Sequence, residues 1–201
     1  MNSRHRKLIL GISKAFGTAW LFGLIGSWGI ACGWFNWLDQ WDFSTLKGKE
    51  LAAIISWFGT PLGLAFSSGL MLGTLFTLRL FQPGFILCLS LLTSTMANHL
   101  LKQWVGRLWP VQGPFSCAFP SGHAFVCTAA FGLFGWILAQ HYPKRKGAIA
   151  LLCSLFLGLI AFSRLHLGVH YTSDVLAGGT LGIIWLFAFT PAVELQGANR
   201  R

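Results

Sequence analysis

His170 and Asp174 stand four residues apart in HYTSD, a spacing that puts both on one helix face if a helix begins by Tyr171 or earlier. A carboxylate there can hold one imidazole nitrogen as a donor and leave the other as a nucleophile; a cap-like contact fits the spacing equally well. Upstream, Pro120-Ser121-Gly122-His123 reads as a helix start. Proline ends the loop, serine is a favoured N-cap, and glycine allows close backbone approach, so the following N–H groups form an anion site. His123 on that first turn can give a proton to a leaving group. Arg164 offers a planar donor fork and Lys102 a mobile point charge, both suited to phosphate. Together these are the parts of phosphoryl transfer, whose transition state spreads charge over three equatorial oxygens. The remaining carboxylates are few and carry no ligand spacing, so the cations are expected to act in place of a metal, with no cofactor.

The elements that must position these residues are membrane helices. Of 201 residues, 54% are hydrophobic and only 10% charged, with 10 Trp and 18 Phe and a mean hydropathy of +0.62; soluble domains carry roughly a quarter charged residues. Taking about 20 apolar residues as one crossing, spans are expected near 11–33, 60–80, 83–103, 121–140, 147–166 and 173–193. The first follows Arg4, Arg6 and Lys7 but is too long for a leader peptide, so it is read as a retained helix. The expected architecture is all-α: one domain over 1–201 with six transmembrane helices in one bundle.

The net charge of +10 sits in short clusters between apolar runs rather than along one face, which argues against nucleic acid as a partner. It reads instead as topology. Arg4, Arg6, Lys7, Lys14, Arg79, Lys144, Arg145, Lys146, Arg200 and Arg201 fall on one side, ten of the fifteen cations, so both termini are expected to be cytoplasmic. Lys47, Lys49, Lys102, Arg107 and Arg164 fall on the other. Lys102, Ser121, Gly122, His123, Arg164, His170 and Asp174 then gather at one outer face, drawn from four helix ends. Ionisable groups at such depth each cost a few kcal/mol unless paired or wetted. Interfacial anchoring explains one such residue well and a cluster of them poorly.

Other features carry less. WFNWLDQWDFSTLKGKE reads as an interfacial loop with an aromatic belt of Trp34, Trp37 and Trp41. The five cysteines have no metal-type pairing, and packed thiols are favoured over a Cys32–Cys117 bridge. The pairs Gly69/Gly73 and Gly178/Gly182 fit close helix packing.

The motif blocks resemble the type 2 phosphatidic acid phosphatase superfamily, whose signature is Lys, six residues, then Arg-Pro; Pro-Ser-Gly-His; and Ser-Arg, five residues, His, three residues, Asp. The second block is complete at Pro120–His123, and the third at Ser163, Arg164, His170 and Asp174. In the first, Lys102 and Pro110 keep register, but Trp109 stands where the pattern has Arg, and the nearest cation is Arg107. Either Arg107 reaches in to take its place or the site runs on Lys102 and Arg164. The motif-bearing part covers about 83–193.

The resemblance implies His170 as a nucleophile forming a phosphohistidine, Asp174 orienting it, and His123 protonating the leaving oxygen. Lys102, Arg164, Ser121 and the Gly122 backbone would hold the phosphate. It implies a metal-independent phosphatase acting on a lipid phosphate or diphosphate, such as undecaprenyl diphosphate, phosphatidylglycerophosphate, phosphatidic acid or lipid A. The protein would sit in the cytoplasmic (inner) membrane with its site facing the periplasm or exterior. A lipid phosphotransferase with the same site, or a binder that has lost catalysis, are the alternatives. His166 and His99 match no motif position.

Overall fold

The computed structural model describes residues 3–110 and 117–197. Every regular element among them is a helix: α1 (Ser3–Ala31), α2 (Asn36–Asp39), α3 (Lys49–Trp57), α4 (Pro61–Thr77), α5 (Phe81–Val105), α6 (Gly122–His141), α7 (Lys146–His166, after a 3-10 turn Pro143–Arg145) and α8 (Thr172–Gly197). Five of these stretches are long and apolar enough to cross a membrane: Ile9–Ala31, Phe81–Val105, Gly122–His141, Pro143–His166 and Thr172–Val193. The sixth, expected at 60–80, corresponds to α4, which reaches the length of a crossing only together with α3, joined to it at a 53° bend. Pro61 opens α4 and cannot supply the N–H that a continuous helix needs there, and the Thr60 side chain caps the new start by accepting from the Gly63 N–H at 3.1 Å. Arg200 and Arg201 lie outside the described residues.

α6 and α8 form the central pair, flanked by α1, α5 and α7, while α3 packs on α7 and α4 on α5. Their shared core is aromatic and aliphatic: Trp185, Phe125, Phe189, Leu133, Leu181 and Ile137 are fully buried. Trp185 meets Phe16 and Phe125 edge-on, with centroids 5.1 and 5.4 Å away, an arrangement favoured by the ring quadrupoles. Its indole N–H donates to Thr93 Oγ1 at 3.2 Å, so the buried polar edge is satisfied.

The reading of Gly178/Gly182 as a packing stripe holds. A Cβ on Gly178 would lie 2.5 Å from the Ser121 carbonyl oxygen, and one on Gly182 would lie 2.8 Å from that of Phe125. The start of α8 is therefore pressed against the start of α6, where the motif residues are. Gly69 and Gly73 do not pack this way, since nothing lies within 4 Å of either added Cβ. Their side of α4 faces open space among the described residues. The aromatic loop does expose Trp34, Trp37 and Trp41, and all five cysteines are free thiols.

This packing makes a prediction. Gly178→Ala is expected to lower the thermal midpoint in detergent by an amount equivalent to about 1–3 kcal/mol, the usual cost of overpacking, whereas Gly69→Ala leaves it unchanged. Equal midpoints for the two variants would contradict the close α6–α8 contact.

Candidate active site

Asp174 is fully buried, and each of its polar groups has a separate task. Tyr171 is the last residue before α8, its carbonyl accepting from the Val175 N–H, and Asp174 Oδ2 reaches back to accept from the Tyr171 N–H at 3.0 Å. That is the acid half of a capping box. The same oxygen lies 3.5 Å from His170 Nδ1. Oδ1 accepts from Arg107 at 2.7 Å, and the Asp174 main-chain oxygen accepts from the Ser121 N–H at 3.0 Å. The helix begins at Thr172, later than the shared-face geometry requires, so His170 and Asp174 meet through the turn that starts α8. The carboxylate that caps α8 is thus also the one beside the His170 imidazole.

Around His170 the other motif residues converge. Lys102, Arg164 and Asp174 act electrostatically on it, and Lys102, Arg164 and His170 act on His123. Lys102 Nζ donates to the Cys117 carbonyl and, at 3.3 Å, to that of Ala118, which fixes the lysine tip beside the segment leading into α6. Arg164, at the end of α7, donates to Ser56 Oγ at 2.5 Å. Ser121 stands at the N-cap of α6, but its side chain makes no capping bond. Its Oγ is buried without a partner, as are His123 Nε2 and Arg164 Nε, while His170 Nδ1 has only the 3.5 Å approach of Asp174 Oδ2. Buried polar atoms are nearly always satisfied, so several unpartnered ones in one place mark a site built for a polar ligand. Gly122 packs on Asn98 so closely that a Cβ would fall 2.9 Å from its Nδ2. Burial pushes the His170 imidazole below the ordinary histidine range, and the Asp174 carboxylate opposes that shift without cancelling it.

Arg107, the cation nearest the Trp109 position, is held by protein partners. Its NH1 donates to Ser173 Oγ and Asp174 Oδ1, both at 2.7 Å, and its NH2 to Asp39 Oδ2 at 2.6 Å. The guanidinium also lies 4.1 Å over the Tyr171 ring. Burial disfavours its charge, but Asp174 and Asp39 more than restore it and the pKa is raised. Two carboxylates therefore hold this cation, one of them the Asp174 carboxylate that also lies beside His170.

Asp39, Ser56 and Gly59 belong to the site and carry no motif signal. Asp39 sits in α2, within the loop read as an aromatic belt, and also accepts from the Ser173 N–H and Oγ, both at 2.9 Å. Gly59 lies at the break between α3 and α4, where an added Cβ would strike the His123 ring. The scarcity of acids in the chain, five among 201 residues, was the one sequence hint that Asp39 would be paired. His166 ties the outer loop to α7 through the Leu46 carbonyl at 3.1 Å, and His99 pairs with Gln103 on an exposed face. Among the described residues no three His, Cys, Asp or Glu side chains are grouped as a metal site.

The clamp on Asp174 sets an expectation for variants. Arg107→Ala and Asp39→Asn are each expected to lower kcat about tenfold or more, because small displacements of a reacting group are costly, while KM changes less. Steady-state kinetics on a lipid phosphate reads both constants. A rise confined to KM would mean that Arg107 contacts the substrate instead.

Known proteins resemble this chain in sequence and in fold. Residues 83–197 match the model of the PAP2 superfamily, a range that includes every motif residue from Lys102 to Asp174 and leaves Asp39 outside. Phosphatidylglycerophosphatase B of Bacillus subtilis (strain 168) is 31% identical over 120 residues, covering 56% of this chain and 59% of that protein. A lipid A 1-phosphatase of Rhizobium johnstonii is 32% identical over 124 residues, covering 55% and 47%. The matched part thus spans about half the length of these curated relatives. In fold, the chain is similar to the crystal structure of a transmembrane PAP2 type phosphatidylglycerolphosphate phosphatase from Bacillus subtilis, with a TM-score of 0.77 at 24% identity, covering 90% of this chain and 96% of that one. With the family model covering more than half of the chain and every motif residue, this membrane helical bundle belongs to the PAP2 superfamily.

Proposed function

We propose that this protein is a metal-independent phosphatase of a lipid phosphate or diphosphate, working through a phosphohistidine. The observation that carries the reading is the cluster of buried, unpartnered polar atoms on Ser121, His123 and Arg164 around the His170 imidazole, beside the Lys102 and Arg164 charges. An anionic phosphoryl group satisfies these donors and cations together. The relatives support the class of substrate by their names, phosphatidylglycerophosphatase B and lipid A 1-phosphatase; undecaprenyl diphosphate and phosphatidic acid belong to the same chemical class.

In the first step His170 Nε2 attacks phosphorus, a P–N bond forms, and the P–O bond to the lipid breaks as His123 protonates the leaving oxygen. Asp174 holds Nδ1 and stabilises the charge that develops on the ring. In the second, His123 takes a proton from water as its oxygen attacks phosphorus; the P–N bond breaks and inorganic phosphate departs. Lys102, Arg164, Ser121 and the Gly122 backbone hold the phosphoryl oxygens through both steps. The whole chain acts as one domain. The distribution of Lys and Arg supports cytoplasmic termini, with the site at the outer face of the cytoplasmic membrane, open to lipid headgroups there.

Phosphate release from a panel of these lipids tests the reading. Wild type is expected to be active with chelator present, and folded His170→Ala to lose activity by orders of magnitude. The pH profile follows from His170. Protonation silences the nucleophile, so kcat/KM falls as pH drops through its pKa. Because burial lowers that pKa, the acid limb is expected below about 6.5, the ordinary histidine value. Full activity of His170→Ala, or loss of wild-type activity with chelator, would overturn the mechanism.

A further inference from the structure

Trp109 occupies a site that its residue type does not explain. Its segment is pinned beside the approach to α6, with the Ala118 N–H donating to the Arg107 carbonyl at 2.6 Å and Leu108 bridged to Cys117. This brings the Trp109 ring against His170, with centroids 5.6 Å apart and planes inclined at 51°. The ring thus walls one flank of the imidazole. Its Nε1 is buried and has no partner.

An indole N–H donates and cannot accept, and a buried one usually finds an acceptor. Trp185 shows the satisfied case, through Thr93. Trp136 Nε1 is also unpartnered, but it lies in mid-helix away from the motif residues. Trp109 differs in its neighbours: it rests on His170, and the unpartnered Ser121 Oγ, His123 Nε2 and Arg164 Nε belong to the motif residues gathered there. One ligand with several acceptor oxygens would serve all of these donors, whereas a lone acceptor would serve only one.

We propose that Trp109 is a phosphate-binding residue, its indole N–H donating to a non-bridging oxygen of the phosphoryl group at His170 while its ring walls the nucleophile. The assignment rests on the phosphatase reading above. It gives the pocket a hydrogen bond without a further charge, in a place where Arg107 is already committed to Asp39 and Asp174. A neutral donor there leaves the Arg107–Asp174 pair undisturbed, because it brings no second cation to compete for the carboxylate.

Trp109→Phe keeps a ring and removes the donor, and Trp109→Arg restores donors without the ring. Competitive inhibition by orthovanadate and kcat/KM on a lipid phosphate are measured for both, on protein held below its thermal midpoint so that a destabilised variant still reports. Trp109→Phe is expected to weaken orthovanadate about tenfold and to lower kcat/KM to a similar degree, the scale of one lost hydrogen bond, and Trp109→Arg to recover orthovanadate affinity. Unchanged inhibition in Trp109→Phe, or equal weakening in both variants, would overturn the assignment. In either case an active wild type and an inactive His170→Ala would leave the phosphatase reading standing; a wild type that hydrolyses no lipid phosphate would remove that reading itself.

Discussion

A single buried carboxylate joins the parts of this site. Asp174 is fully shielded from solvent, and a charge in such a place is tolerable only when its oxygens are well satisfied. Its partners are the Arg107 guanidinium, the Tyr171 N–H and the His170 imidazole, while its own carbonyl takes the Ser121 N–H. Through these bonds the start of α8 is tied to the start of α6 and to the loop after α5, and through Arg107 to Asp39 in α2. Loss of the carboxylate would leave Arg107 buried with half of its compensation and His170 without an orienting partner.

The rest of the bundle serves this junction by separating two kinds of packing. Along the helices the core is apolar, organised on Trp185 and the close α6–α8 contact. At one end, where α5, α6, α7 and α8 begin or stop, polar side chains replace it. The glycine stripe of α8 matters to both regions, because Gly178 lies against the Ser121 carbonyl and so sets how closely the two motif-bearing helix starts approach. The bend between α3 and α4 has a similar effect from the other side. It brings Ser56 to Arg164 and lets the His123 ring lie over Gly59, two contacts that a straight second span would not make.

Much of this was legible in the chain, for reasons that differ from residue to residue. Lys102, His123, Arg164, His170 and Asp174 stand out because a lipid-facing sequence has few ionisable residues and these fall at the ends of apolar runs. Gly178 and Gly182 were legible as a packing pair, but the same spacing at Gly69 and Gly73 was not, since spacing says nothing about whether a neighbour is present. Arg107 was legible as a cation near the site, but its ion pairs were not. Its partner Asp39 is 68 residues away, in a loop whose tryptophans dominate its composition. The break before Pro61 was readable as a helix start, whereas the helix preceding it was hidden by the polar residues at Lys47, Lys49 and Glu50. The Ser121 side chain was read as a cap because residue type favours one, yet its hydroxyl is left for the site.

The central claim is that His170 becomes phosphorylated while Asp174 holds it, and trapping the phosphoenzyme tests this most directly. Wild-type protein mixed with a lipid carrying labelled phosphate and quenched in alkali, which preserves a phosphoramidate bond, is expected to retain label on the peptide containing His170. The label is expected to be absent in His170→Ala and reduced in Asp174→Asn. Label found on another residue, or turnover of the lipid phosphate with undiminished labelling in His170→Ala, would contradict the account.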